Sequence, residues 1–186
     1  SLLCAIPSAT FAQEDTKTLR VFLFAGQSNM VGSDSKAKDV KRFPPFEGLE
    51  EAQDDVLFSY CIGRENKSRS EGWVPLAPVN DVIGPELSFA QTLKENIKAP
   101  IAVIKVAAGG THLGGDWNPD DPKGFKMYPL MLEQVRSSLA ELDKKKISYR
   151  IEGFMWHQGE NDMFEEGYMP AYGKNLENFL GSWRRD

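Results

Sequence analysis

Three short clusters in this chain carry the residue types of acyl-transfer chemistry. They are Gly26-Gln27-Ser28-Asn29, Ala108-Gly109-Gly110-Thr111-His112 and His157-Gln158-Gly159-Glu160-Asn161-Asp162. A serine hydroxyl can attack a carbonyl carbon, and the tetrahedral intermediate then carries negative charge on oxygen. Glycines let backbone N–H groups approach such a charge, because no side chain stands in the way. Ser28 is therefore a candidate nucleophile. The N–H groups of Ser28 and of Gly109 or Gly110 are candidate oxyanion donors, joined by the side-chain amide of Gln158 or Asn161. Gln27 and Asn29 flank the serine, and His112 follows the glycine pair, so all three are candidate pocket residues. Taken alone, the first cluster also fits a plain polar turn. The three together are far more specific, provided the fold brings them to one place.

The elements that must do so are legible as apolar runs. Val21 to Ala25, Ile101 to Ala107 and Arg150 to Trp156 are short, rich in branched or aromatic residues, and each ends in one of the clusters. Such runs read as buried strands of a parallel sheet. Between them lie helical patterns. One opens at Gly84-Pro85-Glu86, with Leu87, Ala90, Leu93 and Ile97 on one face, and stops before Pro100. A second runs over about 126–142, and a third from near Pro170 to the end. Residues 56–62 form a further candidate strand, and 32–55 and 63–83 read as irregular. Strand–helix alternation predicts right-handed βαβ units and a single three-layer α/β/α domain, flavodoxin-like, with a short parallel sheet covered on both faces. In such sheets the carboxyl ends of the strands share one rim, where ligands bind.

The bulk properties narrow the field. The chain has 186 residues and a formal net charge of -5, with no basic stripe, which argues against a nucleic-acid partner. Residues 1–12 read as the tail of a cleavable secretory signal, with 13–186 the mature domain and a secreted or periplasmic location. A buried or disordered N-terminal arm is the alternative. A dozen residues are too few to span a bilayer. Cys61 alone would remain after cleavage, which excludes an internal disulfide and a cysteine zinc site. It follows an apolar run and reads as a buried, inert thiol.

The clusters also resemble a known family. Gly26-Gln27-Ser28-Asn29-Met30, Ala108-Gly109-Gly110-Thr111 and Trp156-His157-Gln158-Gly159-Glu160-Asn161-Asp162 look like successive blocks of the SGNH-hydrolase superfamily, and more narrowly of its sialate O-acetylesterase and acetylxylan-esterase branch. Gly84-Pro-Glu-Leu-Ser-Phe-Ala90 and Tyr128-Pro-Leu-Met131 are similar to the same branch, and the likeness spans about residues 19–186. It implies a serine esterase acting on an acetylated carbohydrate, with Ser28 as nucleophile and no cofactor. Asn161 matches the superfamily's Gly-x-Asn-Asp spelling for the third oxyanion donor, whereas the narrower branch favours Gln158. Glu160 would orient a catalytic histidine. That histidine is expected in an Asp-x-x-His block that does not occur after Asp162. The resemblance therefore implies a base beyond Asp186, or an inactive sugar-binding domain. An SGNH lipase or thioesterase is a further alternative, as is a flavodoxin-like binding protein, although the first turn lacks a phosphate loop.

Weaker signals complete the reading. His157 fits a histidine that braces the site, and either it or His112 is a conceivable substitute base. Trp117 fits either a sugar-stacking wall or a packing residue. Asp116 to Asp121 lacks the glycine and the bidentate glutamate of a calcium loop, so no metal is expected. Trp73 and Trp183 read as packing residues, and Asn66-Lys-Ser68 spells a glycosylation acceptor. Nothing demands an oligomer, and a monomer is expected.

Overall fold

The computed structural model describes residues 16–65 and 67–186. The signal-like stretch 1–12 and Asn66 lie outside them.

Four strands build a parallel core: β1 (Leu19–Gly26), β2 (Gln53–Ile62), β5 (Ile101–Ala107) and β6 (Tyr149–His157). Two short strands, β3 (Ser68–Arg69) and β4 (Val74–Leu76), pair antiparallel with β2. The main path runs β3-β2-β5-β1-β6. The connecting helices are α1 (Ser28–Val31), α2 (Pro85–Asn96), α3 (Met127–Lys144) and α4 (Tyr172–Arg185). Two 3-10 turns, Ala37–Arg42 and Pro44–Phe46, lie in the polar excursion after α1.

The layers follow from strand alternation. Phe24 of β1 and Val103 of β5 face Leu87 and Ala90 of α2. Ala25 and Val106, at positions of opposite parity on the same two strands, face Met127 and Met131 of α3 and Phe179 of α4. The sheet thus buries both surfaces, as a parallel sheet requires. β6 departs from that expectation. Among the described residues it pairs with β1 alone, and Ile151 on it is 47% exposed. A residue is also inserted there: Val21 pairs with Ile151 and Phe22 with Gly153, so Glu152 bulges out and meets Arg20 and Arg150. β3 and β4 fall in the stretch read as irregular. Strands of two or three residues are too short to show a period of two.

Within β5 one buried residue breaks the apolar pattern. Every residue of β5 is buried, and Lys105 is among them. Its Nζ donates to Glu86 Oε2 at 2.6 Å, and both side chains are at most 2% exposed. Burial pulls the Lys105 pKa below the ordinary lysine value, and the Glu86 carboxylate works against that pull. The ammonium also reaches the carbonyl of Val31, at 3.3 Å, where α1 ends. The ion pair therefore ties β5, α2 and the serine-bearing turn together. Cys61 is buried as expected. No helix among the described residues is long and apolar enough to cross a membrane, and no cluster of His, Cys, Asp and Glu among them could hold a metal ion.

Candidate active site

The serine sits where the leading strand ends. Gly26 closes β1 beside the end of β6, so tightly that a Cβ there would run into the His157 carbonyl. The same carbonyl accepts the Gln27 N–H at 3.0 Å. The chain then turns at once into α1, which starts at Ser28. Val31 and Gly32 donate back to the carbonyls of Gln27 and Ser28, both at 2.9 Å, and fix that turn. Ser28 is partly exposed, while Gln27 is buried.

The glycine pair comes to the serine from β5. A Cβ placed on Gly109 would lie 3.6 Å from the Ser28 Cβ, so the two backbones face each other. Gly110 adopts a left-handed φ of 72° that turns the chain between Ser28 and the third cluster. A Cβ on Gly110 would stand 3.6 Å from Asn161 Nδ2. Ser28, Gly109, Gly110 and Asn161 thus form one contiguous arc. Among the described residues, no loop carbonyl takes the N–H of Ser28 or of Gly109.

The third cluster divides its labour. Gln158 is 9% exposed and its Nε2 donates to the Thr111 carbonyl at 3.0 Å and to Asp162 Oδ2 at 2.5 Å. A primary amide has two N–H bonds, so both are committed. Asn161 is differently placed. Its Oδ1 accepts from Gln27 Nε2 at 3.4 Å, which leaves the NH2 side of the amide directed at Gly110. Gln27 Oε1 in turn accepts the N–H groups of Gly159 and Asn161, at 3.4 and 3.5 Å. Gln27 therefore braces the third cluster from below. Asn29 donates to Glu160 Oε1, which ties the serine turn to the β6 loop at the surface.

The two histidines stand apart. The bracing expected of His157 comes from its backbone carbonyl, and its side chain is exposed. His112 carries a carboxylate partner: Asp116 Oδ2 lies 3.3 Å from Nδ1 and accepts the His112 N–H at 2.8 Å. Its ring packs on Tyr168 at 5.6 Å and lines a hollow with Gly110, Gly115 and Phe125. Trp117 is not at the surface. It is fully buried, donates to Thr111 Oγ1 at 2.9 Å and packs edge-on against Trp156 at 5.1 Å. Its position inside the layer beneath the β5 loop overrules the sugar-wall reading and leaves packing.

Residues 18–186 match the family described as carbohydrate esterase, sialic acid-specific acetylesterase. The chain belongs to this carbohydrate esterase family. It is 25% identical over 182 residues to a probable carbohydrate esterase of Arabidopsis thaliana, covering 90% of this chain and 64% of the relative. The chain therefore spans somewhat under two thirds of that relative's length. Among solved structures it resembles an Arabidopsis thaliana protein, with a TM-score of 0.61, 20% identity and coverage of 89% of this chain and 68% of the other. It also resembles a carbohydrate acetylesterase from Xanthomonas citri, with a TM-score of 0.59, 16% identity and coverage of 89% and 38%. These likenesses establish the mostly parallel, helix-flanked fold.

Within this esterase-family domain, three residues matter that the sequence did not single out as site residues. Asp162 is buried and accepts the N–H groups of Leu113 and Gly114 at 2.8 and 2.9 Å, besides the Gln158 amide. It staples the glycine loop of β5 to the loop of β6. Tyr172 donates to the Gln158 carbonyl at 2.7 Å, and burial raises its pKa. Arg64 follows Gly63 at the end of β2, with its guanidinium 5.3 Å above the Phe125 ring and 3.3 Å from the Cβ position of Gly110. A signal for Arg64 was present, since it too lies just past the carboxyl end of a parallel strand. Nothing local marks Tyr172, which comes from the start of α4.

Proposed function

We propose that the protein is a serine esterase that removes O-acetyl groups from carbohydrate, with acetylated xylan or acetylated sialic acid as the substrate classes. The observation that carries this reading is the arc of Ser28, Gly109, Gly110 and Asn161 on the rim of an esterase-family sheet. In the reaction, Ser28 Oγ attacks the acetyl carbonyl carbon. The N–H groups of Ser28 and of Gly109 or Gly110, with the Asn161 amide, hold the oxyanion. The bond from the acyl carbon to the sugar oxygen breaks, the sugar leaves with a proton, and water hydrolyses the acetyl-serine. No cofactor takes part.

A serine needs a base to accept its proton. The reading places that base on a histidine in a part of the protein beyond Asp186, with the Glu160 carboxylate beside Asn29 to orient it. One observation favours a second assignment. His112 already has a carboxylate at Nδ1, which is the orientation a base requires. The proposal also keeps the protein outside the cytoplasm, on the strength of the signal-like residues 1–12.

The test is to assay the complete gene product on acetylated xylan, acetylated sialic acid and p-nitrophenyl acetate, beside Ser28→Ala. Turnover by the wild type and none by the variant is the expected result. Equal activity of the two on all three substrates would overturn the role of Ser28. Turnover by the 186-residue chain alone, abolished in His112→Gln, would make His112 the base.

A further inference from the structure

We propose that Lys105, braced by Glu86, is a positioning residue for the esterase reaction: its ammonium sets how the serine-bearing turn stands against the glycine loop. This rests on the esterase reading above and adds to it a residue that acts through the turn. β5 delivers Gly109 and Gly110 to the site, and α1 delivers Ser28. Lys105 is the one residue of β5 with a polar side chain, and its Nζ donates to the Val31 carbonyl of α1 at 3.3 Å and to Glu86 Oε2 at 2.6 Å. Among the described residues no loop N–H donates to that carbonyl, so the ammonium serves the open end of α1. A single helical turn joins Val31 to Ser28. It is locked by the Val31 N–H donating to Gln27 and the Gly32 N–H donating to Ser28, both at 2.9 Å. A shift at the Val31 carbonyl therefore reaches the serine.

The corner around the pair holds the ammonium in that place. A Cβ on Gly84 would stand 2.2 Å from Lys105 Nζ and 2.3 Å from Glu86 Oε2, so a glycine at 84 leaves room for the two charges. Gly32, just past α1, has a left-handed φ of 88°, and a Cβ there would lie 2.2 Å from the Ile83 carbonyl oxygen. The end of the serine turn is thus pressed against the segment that opens α2. The Ile83 N–H also donates to the Ser35 carbonyl at 2.7 Å. On the other side, Gly26 abuts the His157 carbonyl, which accepts the Gln27 N–H. The turn is therefore clasped from β6 by backbone and from β5 by Lys105. A buried ion pair gains little stability over well-packed apolar residues of similar volume. What apolar residues lack is a donor for the Val31 carbonyl. Misplacing a reacting group by about 1 Å can cost about 100-fold in rate, so the tie matters more to catalysis than to folding.

The test is kcat and KM for p-nitrophenyl acetate, measured on the complete gene product well below each variant's Tm. Lys105→Met/Glu86→Leu removes both charges and nearly keeps the volume. Gly84→Ala keeps both charges and pushes the ammonium from its place. Each should lower kcat by about tenfold or more, with KM within about twofold of wild type. Circular dichroism checks the fold, and one folded variant is enough to decide. Leu142→Ala opens a cavity in the buried layer under α3, away from the pair; it should lower Tm and leave kcat within about threefold. A purely structural role for the pair would leave its folded variants with the wild-type kcat. A smaller loss of kcat in either folded variant, a loss confined to KM, or an equal loss in Leu142→Ala would overturn the proposal. Failure of the esterase reading shows separately, as wild-type turnover of p-nitrophenyl acetate that Ser28→Ala does not abolish.

Discussion

Replacing Asn161 and Gln158 in turn separates the proposed oxyanion donor from a structural brace. Both are amides in one loop, three residues apart, yet their surroundings assign them different consequences. Asn161→Ala removes the Nδ2 group that faces Gly110 and one long bond to Gln27 at 3.4 Å. A bond of that length falls at the weak end of the range, so the stability loss should be about 0.5 kcal/mol. The loss of one donor to the developing oxyanion should instead cost about 2.7–4 kcal/mol in the transition state, or about 100–1000-fold in kcat with KM little changed. Gln158→Ala has the opposite profile. It breaks a bond to the neutral Thr111 carbonyl at 3.0 Å and one to the Asp162 carboxylate at 2.5 Å. Bonds of these two kinds contribute about 0.5–1.5 and 1.5–3 kcal/mol, so stability should fall by about 2–4.5 kcal/mol. At about 2–4 °C per kcal/mol for a domain of this size, Tm should drop by roughly 4–18 °C. The assay is kcat and KM for p-nitrophenyl acetate with the complete gene product, beside a thermal melt of each variant, all kinetics run well below the lowest Tm. The reasoning is refuted if folded Gln158→Ala loses 100-fold in kcat while Asn161→Ala keeps it within threefold.

Two further outcomes follow from the buried and bulged charges. Lys105→Met leaves the Glu86 carboxylate buried without its partner and should destabilise the domain by about 3–5 kcal/mol, whereas Lys105→Met/Glu86→Leu should recover most of that loss in a urea titration, because the desolvation cost disappears with the pair. Hydrogen bonds from Arg150 and Arg20 lower the Glu152 pKa below the usual glutamate value. The folded state therefore binds that proton less readily than the unfolded chain. The stabilisation is complete above pH 4.5 and fades as pH falls through the lower, folded value. The pairs are partly exposed, so Glu152→Gln should cost about 0–1 kcal/mol at pH 7, with the difference from wild type shrinking below pH 4 in paired urea melts.

The sequence was most readable where a single element had to satisfy a single environment. β1 and β5 are buried on both faces, so their runs are apolar apart from Arg20 and Lys105 and their ends are sharp. α2 had proline in its first turn and an apolar face of four residues. The reading weakened where tertiary context decided the outcome. Nothing local explains a lysine inside the β5 run, and only the fold reveals Glu86 across from it. Glu152 bulges because β6 goes on pairing with β1 on either side of it with the register shifted by one, a relation between two strands that neither encodes alone. In the site, the clusters were visible as clusters, since each closes a parallel strand. The roles inside them were not. Gln158 and Asn161 have the same chemistry, and what separates them is Asp162, whose three accepted hydrogen bonds belong to two distant loops. Trp117 was ambiguous for a related reason, because an indole suits a sugar face and a core equally well until its burial is known.

The position of Asp162 explains how the proposed oxyanion arc could be built on loops at all. Electrostatic stabilisation of a transition state depends on donors already in place before charge develops. Gly109 and Gly110 have no side chains to hold them, and the left-handed turn at Gly110 has no preference of its own strong enough to fix it. The loop is held from behind instead. Asp162 takes the N–H groups of Leu113 and Gly114, Thr111 Oγ1 donates to the Ala108 carbonyl at 2.9 Å, and buried Trp117 anchors Thr111. Gln27 supplies the corresponding brace for Gly159 and Asn161. Flexible glycines next to the serine are thereby backed by a layer of buried polar groups with two or more partners each. In this reading the precision of the arc rests on Asp162 and Gln27, which hold the loops' backbone N–H groups, so Asp162→Asn and Gln27→Ala should lower kcat for p-nitrophenyl acetate through geometry.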